Sequence, residues 1–598
     1  MKNKVQKKSP LSAASIKKIL GNGTSIDKES VFSWIDEIYA TYIGKSTYSL
    51  SPSSLALAYC DWVFNLAFSP AKQASSLYKM GENLEKFICY MCDYLSGTNP
   101  QTCGAVLPQD KRFKDPAWQT PPFLFLYQSF LLLQEWWHDR ADVPGLSKHH
   151  KNVVSFGIRQ ILDMVSPSNF PFLNPVVLQT SFDEKGGNFR RGLEYWFDDM
   201  IRWALQQKAA GLEKYKVGEN LAITEGKVIY QNDLIELIQY EPKTKSVFAE
   251  PVLFIPAWIM KYYILDLSEH NSLVKYLIEK GHTVFMISWK NPQKEDRNKG
   301  LRDYVKMGIL DSLDIISEIF PESKIHATGY CLGGTILTIA AAYLAKIGDT
   351  RLKSVSLLAA QVDFEDAGEL MLFVDESQVN FLENMMSTKG YLDKIQLKNT
   401  FQMIRSTDLI WSYILNNYML GKREEMSDLM AWNADDTRLP YRMHSEYLKE
   451  IYLNNDLAEG VYNIEGRTIA IKDIKIPLFC VGTEKDHISP WKSVYKMHLL
   501  ADTDISFVLT AGGHNVGIIS EPGHPKARYK FKTTYRGDIY ITPERWEKEA
   551  PAYTGSWWLS WQQWLEANSS SKKIPAVSVK SRSTKVLREA PGTYIFQQ

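Results

Sequence analysis

Cysteine is scarce. The 598 residues hold six, Cys60, Cys89, Cys92, Cys103, Cys331 and Cys480, too few and too irregularly spaced for a disulfide framework. The first residues carry lysines without the apolar stretch of a secretion signal. Together these two absences predict a reduced, cytoplasmic protein. Net charge is nearly absent too: 69 Lys+Arg face 68 Asp+Glu, a formal +1, so no field of one sign recruits nucleic acid. Long apolar runs are missing, and stretches such as Pro121 to Leu133 are too short to span a bilayer. Metal patterns are thin. Cys89-x-x-Cys92 with Cys103 lacks a second pair or a histidine cluster, and ENLEKFICYMCDYL reads as an amphipathic helix, so these thiols are expected to pack in a core. The His149-His150 pair is expected in a solvated loop. What abounds is aromatic surface. A share of 12% with seventeen Trp fits either a large aromatic core or broad contact with an apolar partner or substrate.

The length exceeds what one core organises, and typical domain sizes suggest roughly three or four units. Residues 1–25 are Lys/Ser/Gly-rich without periodicity and are expected to be a mobile tail. Residues 26–215 carry apolar positions at helical spacing in VFSWIDEIYATYI, LALAYCDWVFNLAF, LFLYQSFLLLQEWW and FRRGLEYWFDDMIRWAL, predicting a helical domain. Ser166-Pro-Ser-Asn169 and Asn174-Pro175 punctuate it as turns. No nucleophile, base and acid assemble there, so this part should serve association.

From residue 216 to about 570 short apolar runs alternate with helix-length segments such as Ser272 to Lys280 and Leu301 to Phe320. The runs are LIELIQY from Leu234, VLFI from Val252, TVFMIS from Thr283, IHATG from Ile325, VSLLAA from Val355, LFCVG from Leu478 and ISFVL from Ile505. Such alternation predicts an α/β domain with a parallel sheet covered on both faces. Between about residues 363 and 475 it stops. The Met- and aromatic-rich stretch there is expected to be a cap insertion over the active site. Residues 571–598 form a C-terminal tail, and its basic part from Lys572 to Arg588 is expected to be solvated.

Gly329-Tyr330-Cys331-Leu332-Gly333 has the form G-x-C-x-G, between a strand-like run and a helix-like run. That is a nucleophile elbow bearing cysteine in place of serine. A nucleophile on a sharp strand-to-helix turn needs small neighbours two positions either way, which Gly329 and Gly333 provide. The following helix points its N-terminal amides at the same spot, favouring a thiolate and offering Leu332 N–H to an oxyanion. Downstream, Asp486 falls just past the strand LFCVG, and His514 follows Gly512-Gly513 just past ISFVL. Nucleophile, acid, histidine is the α/β-hydrolase order. His487, beside Asp486, is the rival for the base. Cysteine also has an energetic meaning. A thiolate attacking a thioester makes another thioester, so the acyl group stays activated for transfer to a hydroxyl, provided water is kept out.

These residues carry a resemblance. The chain resembles the polyhydroxyalkanoate synthases of class I type through Val217–Gly226, Lys261–Leu267, Gly281–Phe285 with Ser288-Trp289, and Gly329–Thr335. The match continues through Asn416–Tyr418, Ala431–Asn433, Asp486-His487 and Gly513-His514. Ser166–Phe170 and Gly187-Asn188 are similar to the family's helical N-terminal domain, and Ser556–Trp558 with Ala590–Gly592 to its C-terminal end. The likeness spans nearly everything from about residue 120 onward. It implies an α/β-hydrolase fold with a cap, preceded by a mainly helical domain, and polymerisation of (R)-3-hydroxyacyl-CoA, such as 3-hydroxybutyryl-CoA, with release of CoA. It also implies Cys331 as nucleophile and acyl carrier, activated by His514, while Asp486 either orients His514 or helps deprotonate the attacking 3-hydroxyl. Leu332 and Ile259 would supply oxyanion amides. One departure is Met260, where the family usually has Asn. The resemblance further implies a homodimer, association with polymer granules and with granule proteins, and no metal or organic cofactor. A depolymerase or acyl-CoA thioesterase is the alternative, and a granule scaffold without activity is a third.

Overall fold

The structure is a computed structural model, and it describes residues 28–98, 100, 102–104, 110–579 and 586–598. The expected mobile tail at residues 1–25 lies outside the described residues. Among the described residues seven α-helices come first: α1 (Lys28–Ser46), α2 (Pro52–Ala67), α3 (Pro70–Leu95), α4 (Phe123–Ala141), α5 (Lys148–Met164), α6 (Pro175–Asp183) and α7 (Gly187–Ala204). Local signals start several of them. The Ser51 side chain accepts from Ser54 N with Pro52 at the first turn of α2, and Asn174 accepts from Val176 N and Val177 N ahead of Pro175 in α6. Two small cores hold α2 to α6, one around Phe113, Trp118, Tyr127 and Phe130, the other around Trp62, Leu66, Val153 and Val154, while Ala40 of α1 packs into the core of the sheet that follows.

Two expectations change here. Cys89 and Cys92 lie exposed on α3, outside both cores, because the buried side of that helix runs through Ser76, Asn83 and Tyr90. Among the described residues no group of His, Cys, Asp and Glu is arranged to hold a metal ion. His149 and His150 sit in the first turn of α5, not in a solvated loop. His150 Nδ1 is 2.5 Å from Asp61 Oδ2 on α2, and His149 Nε2 is 3.3 Å from Asp375 Oδ2, the cap of the helix Glu376–Lys389.

Beyond α7 an eleven-stranded sheet organises the chain. Its strands are β1 (Gly226–Gln231), β2 (Ile235–Tyr240), β3 (Val252–Ile255), β4 (Val284–Trp289), β5 (Ile325–Tyr330) and β6 (Leu352–Leu358). They continue with β7 (Leu478–Thr483), β8 (Ile505–Thr510), β9 (Arg528–Thr534), β10 (Ala552–Thr554) and β11 (Arg588–Glu589). The spatial order is β10-β9-β8-β7-β6-β5-β3-β4-β2-β1-β11. The six strands from β8 to β4 are parallel, and the flanking pairings are antiparallel. Every residue of β4 and β5 is buried, as strands covered on both faces require, the polar His326 and Thr328 of β5 included. The antiparallel strands β1, β9, β10 and β11 are short or half polar, and the pattern of long apolar runs did not reveal them.

The C-terminal segment is tied down by strand pairing at its described ends, although Lys572, Lys573, Val586 and Leu587 stay exposed to solvent. Lys573–Pro575 pairs antiparallel with Ser246–Phe248, and β11 pairs with Lys227 and Val228 of β1. An open sheet edge offers unpaired backbone groups, and this segment takes them. Between β6 and β7 the cap-like insertion is helical, with Glu376–Lys389, Lys394–Ile404 and Tyr441–Glu446 among its elements.

Candidate active site

Cys331 stands between β5 and the helix Leu332–Ile347, with φ 53° and ψ −125°. That conformation is strained for a non-glycine residue and is held by what surrounds it. Cys331 N donates to Leu358 O at 2.9 Å, and Gly334 N donates to Cys331 O at 2.8 Å. A Cβ on Gly333 would run into the Ile255 carbonyl, and one on Gly329 into the backbone of Gly334. Gly334 is a third requirement, since a Cβ there would meet the Ala360 side chain. The elbow is thus wedged against the ends of β3 and β6.

Asp486 follows β7 and His514 follows β8, and adjacent parallel strands bring the two together. His514 Nδ1 lies 2.8 Å from Asp486 Oδ2, with the Asp486 side chain wholly buried. The Asp486 carboxylate also accepts from Thr483 Oγ1 at 3.0 Å, Ile488 N at 2.9 Å and Ser489 N at 2.8 Å. Burial would raise this carboxyl, but His514 and the two backbone amides outweigh it and hold it below the usual carboxylate range. Burial would likewise strip a proton from His514. The Asp486 charge overrides that, and Cys331, close enough to act on the ring as a charge and as a hydrogen-bond partner, adds to it, so His514 sits well above its ordinary value. Tyr330 supports the ring from below, 5.7 Å between centroids, and its hydroxyl donates to Asn515 Oδ1 at 2.6 Å. His487 is elsewhere. Its residue is exposed, and its backbone carbonyl accepts from Glu369 N.

Cys331, Leu332 and Ile259 line one cavity of about 110 Å³. Its wall is mostly apolar, with Leu370, Phe373, Leu382, Leu397 and Phe401 from the insertion. Tyr447 and Tyr452 close another side. Burial first, with the nearby Cys331 adding to it, keeps both phenols protonated; Tyr452 pushes Tyr447 further up, whereas Tyr447 acts the other way on Tyr452. Sequence reasoning missed one contribution entirely: Ser49 and Leu50, from the link between α1 and α2, also line the cavity. They are fixed by Gln378, whose Oε1 accepts from Ser51 N at 2.7 Å and whose Nε2 donates to Ser49 O at 2.8 Å. Ser54 Oγ donates to Asp375 beside it.

Comparison with known proteins adds a separate line. Residues 109–277 match the family model "Poly-beta-hydroxybutyrate polymerase (PhaC) N-terminus", residues 30–72 match "Poly-beta-hydroxybutyrate polymerase N terminal", and residues 250–520 match the alpha/beta hydrolase fold. A poly(3-hydroxyalkanoate) polymerase of Methylorubrum extorquens is 38% identical over 530 residues, covering 88% of this chain and 87% of that protein. The chain belongs to the poly(3-hydroxyalkanoate) polymerase family. Other members of the family are also similar. The polymerase subunit PhaC of Rhizobium meliloti is 38% identical over 81% of this chain and 79% of its own length. That of Cupriavidus necator is 33% identical over 81% of this chain and 83% of its own. The α/β-hydrolase fold preceded by helices, read from the sequence, is thus the fold of a polymerase-family chain. No local signal marks Ser49 or Leu50 as cavity residues, because the contact is made across more than three hundred positions of sequence.

Proposed function

We propose that the protein polymerises (R)-3-hydroxyacyl-CoA, such as 3-hydroxybutyryl-CoA, into polyhydroxyalkanoate through a thioester on Cys331. The observation that carries this reading is a thiol on a strained elbow beside a His514–Asp486 pair, opening into a recessed and largely apolar cavity. His514 accepts the thiol proton. The sulfur bonds to the acyl carbon, the carbon–sulfur bond to CoA breaks, and the CoA thiolate leaves with the proton from His514. The amides of Leu332 and Ile259 hold the oxyanion. A chain-end hydroxyl then gives its proton to His514, forms the ester bond and releases the Cys331 sulfur. Asp486, with both oxygens occupied and no exposure, serves by orienting His514 and not by reaching a substrate hydroxyl.

We further take residues 26–215 as a helical domain, and 216–570 as the catalytic domain with a cap at about 363–475. Among the described residues no helix is long and apolar enough to cross a membrane. The outward Leu193, Phe197, Ile201 and Trp203 of α7 support association with a polymer granule or with a second copy of the chain.

Incubation with 3-hydroxybutyryl-CoA, following free CoA and turbidity, tests the reaction. Both signals should rise together, and Cys331→Ala should lower CoA release by at least about 10⁴-fold. CoA release with only monomeric hydroxyacid as product would make the protein a thioesterase.

A further inference from the structure

The loop after β3 carries Ile259, and its neighbours are fastened one by one. Trp289 Nε1 donates to Pro256 O at 2.9 Å, Thr437 Oγ1 to Trp258 O at 2.9 Å, and Trp432 Nε1 to Lys261 O at 2.7 Å. Met260 bridges to Asp436. The remaining handle is the Lys261 side chain, a cation with 4% exposure. Its Nζ donates to Gln597 O at 2.8 Å and to Tyr594 O at 3.4 Å.

That far segment is itself built in. The wholly buried Glu236 carboxylate accepts from Arg588 Nη1 at 2.6 Å, Thr593 N at 2.8 Å, Thr593 Oγ1 at 2.7 Å and Tyr594 N at 2.9 Å. Tyr594 Oη donates to Asn232 O at 2.6 Å, and Asn291 N donates to Gln597 Oε1 at 2.9 Å. Burying an ammonium costs several kcal/mol unless its donors find acceptors. Here burial lowers the group to about 8, and the acceptors it does find lie more than three hundred residues away in sequence.

We propose that Lys261 is a positioning residue: by tying the Ile259 loop to Tyr594–Gln597, it holds the Ile259 amide where the oxyanion of the Cys331 thioester forms. A preorganised donor gains its effect from being fixed before charge develops, and a displacement of about 1 Å costs about 10²-fold. The proposal rests on the acyl-transfer reading above.

Two variants test it, Lys261→Met and a chain ending at Thr593. Two rates are read for each: single-turnover acylation of Cys331 by 3-hydroxybutyryl-CoA, by intact mass, and alkylation of Cys331 by iodoacetamide. Alkylation needs the thiolate but no oxyanion donor. Acylation should fall about 10- to 100-fold in either variant, while alkylation stays within about twofold of the parent. Combined, the two changes should cost no more than one, since both cut the same tie. Unchanged acylation, or alkylation falling in step with it, overturns the proposal. If Lys261→Met fails to fold, the shortened chain decides alone. Failure of the unaltered protein to acylate at all overturns the acyl-transfer reading instead, and the tie falls with it.

Discussion

Along β4 and β5 every residue is buried, whereas along the eighteen residues of α7 only Asn188 and Gly192 are. The contrast is one of orientation as well as degree. α7 docks through its small and polar side: a Cβ on Gly192 would strike the Tyr418 backbone, and Asn188 Nδ2 donates to Met419 O at 2.8 Å. Its aromatic side, with Trp203 at 76% exposure, is left outward. The sheet spends its apolar side chains on a core around the elbow, while α7 leaves much of its own outward. One region packs tightly around the elbow, and the other leaves an apolar face uncovered among the described residues.

The comparison can be broken hardest at the sheet. With the carboxylate acting through His514 in both steps, as we propose, Asp486→Asn should slow acylation of Cys331 and chain growth together, by about 10⁴-fold. A normal acylation rate with only elongation lost would place Asp486 on the substrate hydroxyl.

Acid should find the same region next. Burial holds His282, His444 and His498 down to about 4 and His326 to about 3, all within or beside the sheet and its insertion. The unfolded chain takes these protons below about pH 6.5 and the folded one refuses them. Stability is therefore lost as pH falls from about 6.5 toward 4, by up to about 1.4 kcal/mol per pH unit for each ring. The urea midpoint of buried tryptophan fluorescence, compared at pH 7 and pH 5, should drop accordingly.

Replacing Phe197, Ile201 and Trp203 by Ser should leave the initial rate of CoA release unchanged and reduce co-sedimentation with polyhydroxybutyrate granules at least about tenfold. Each such side chain is worth about 1.5–3 kcal/mol when buried. Unaltered co-sedimentation would make the outward face of α7 idle. The smallest effect belongs to Gly157→Ala in α5, where an added Cβ meets nothing within 4 Å. It should stabilise the N-terminal helices by up to about 1 kcal/mol, read as a shift in their melting temperature.

Much of the fold was legible because its signals are local. VLFI, LFCVG and ISFVL are continuous apolar runs, and they are strands at nearly those limits. The glycines around Cys331 announce a close approach that the structure contains. What escaped depends on distant partners. Arg528–Thr534 is half polar and becomes a strand only beside β8, and Arg588–Glu589 is only two residues long and counts as a strand through its pairing with β1. His149 and His150 read as loop residues because Asp375 and Asp61 lie far off in sequence. Ser49 and Leu50 carry no chemistry that points to a cavity. Gln378, with the Ser54 contact to Asp375 beside it, brings them there.

That last contact has a consequence for dissecting the molecule. A catalytic fragment starting at residue 216 would keep Cys331, Asp486 and His514 but lack the wall formed by Ser49 and Leu50. Its acyl-enzyme would face solvent on that side, and water would compete with the chain-end hydroxyl for every acyl group. Such a fragment should still release CoA, yet yield a larger share of free hydroxyacid in place of polymer, read as the ratio of the two products.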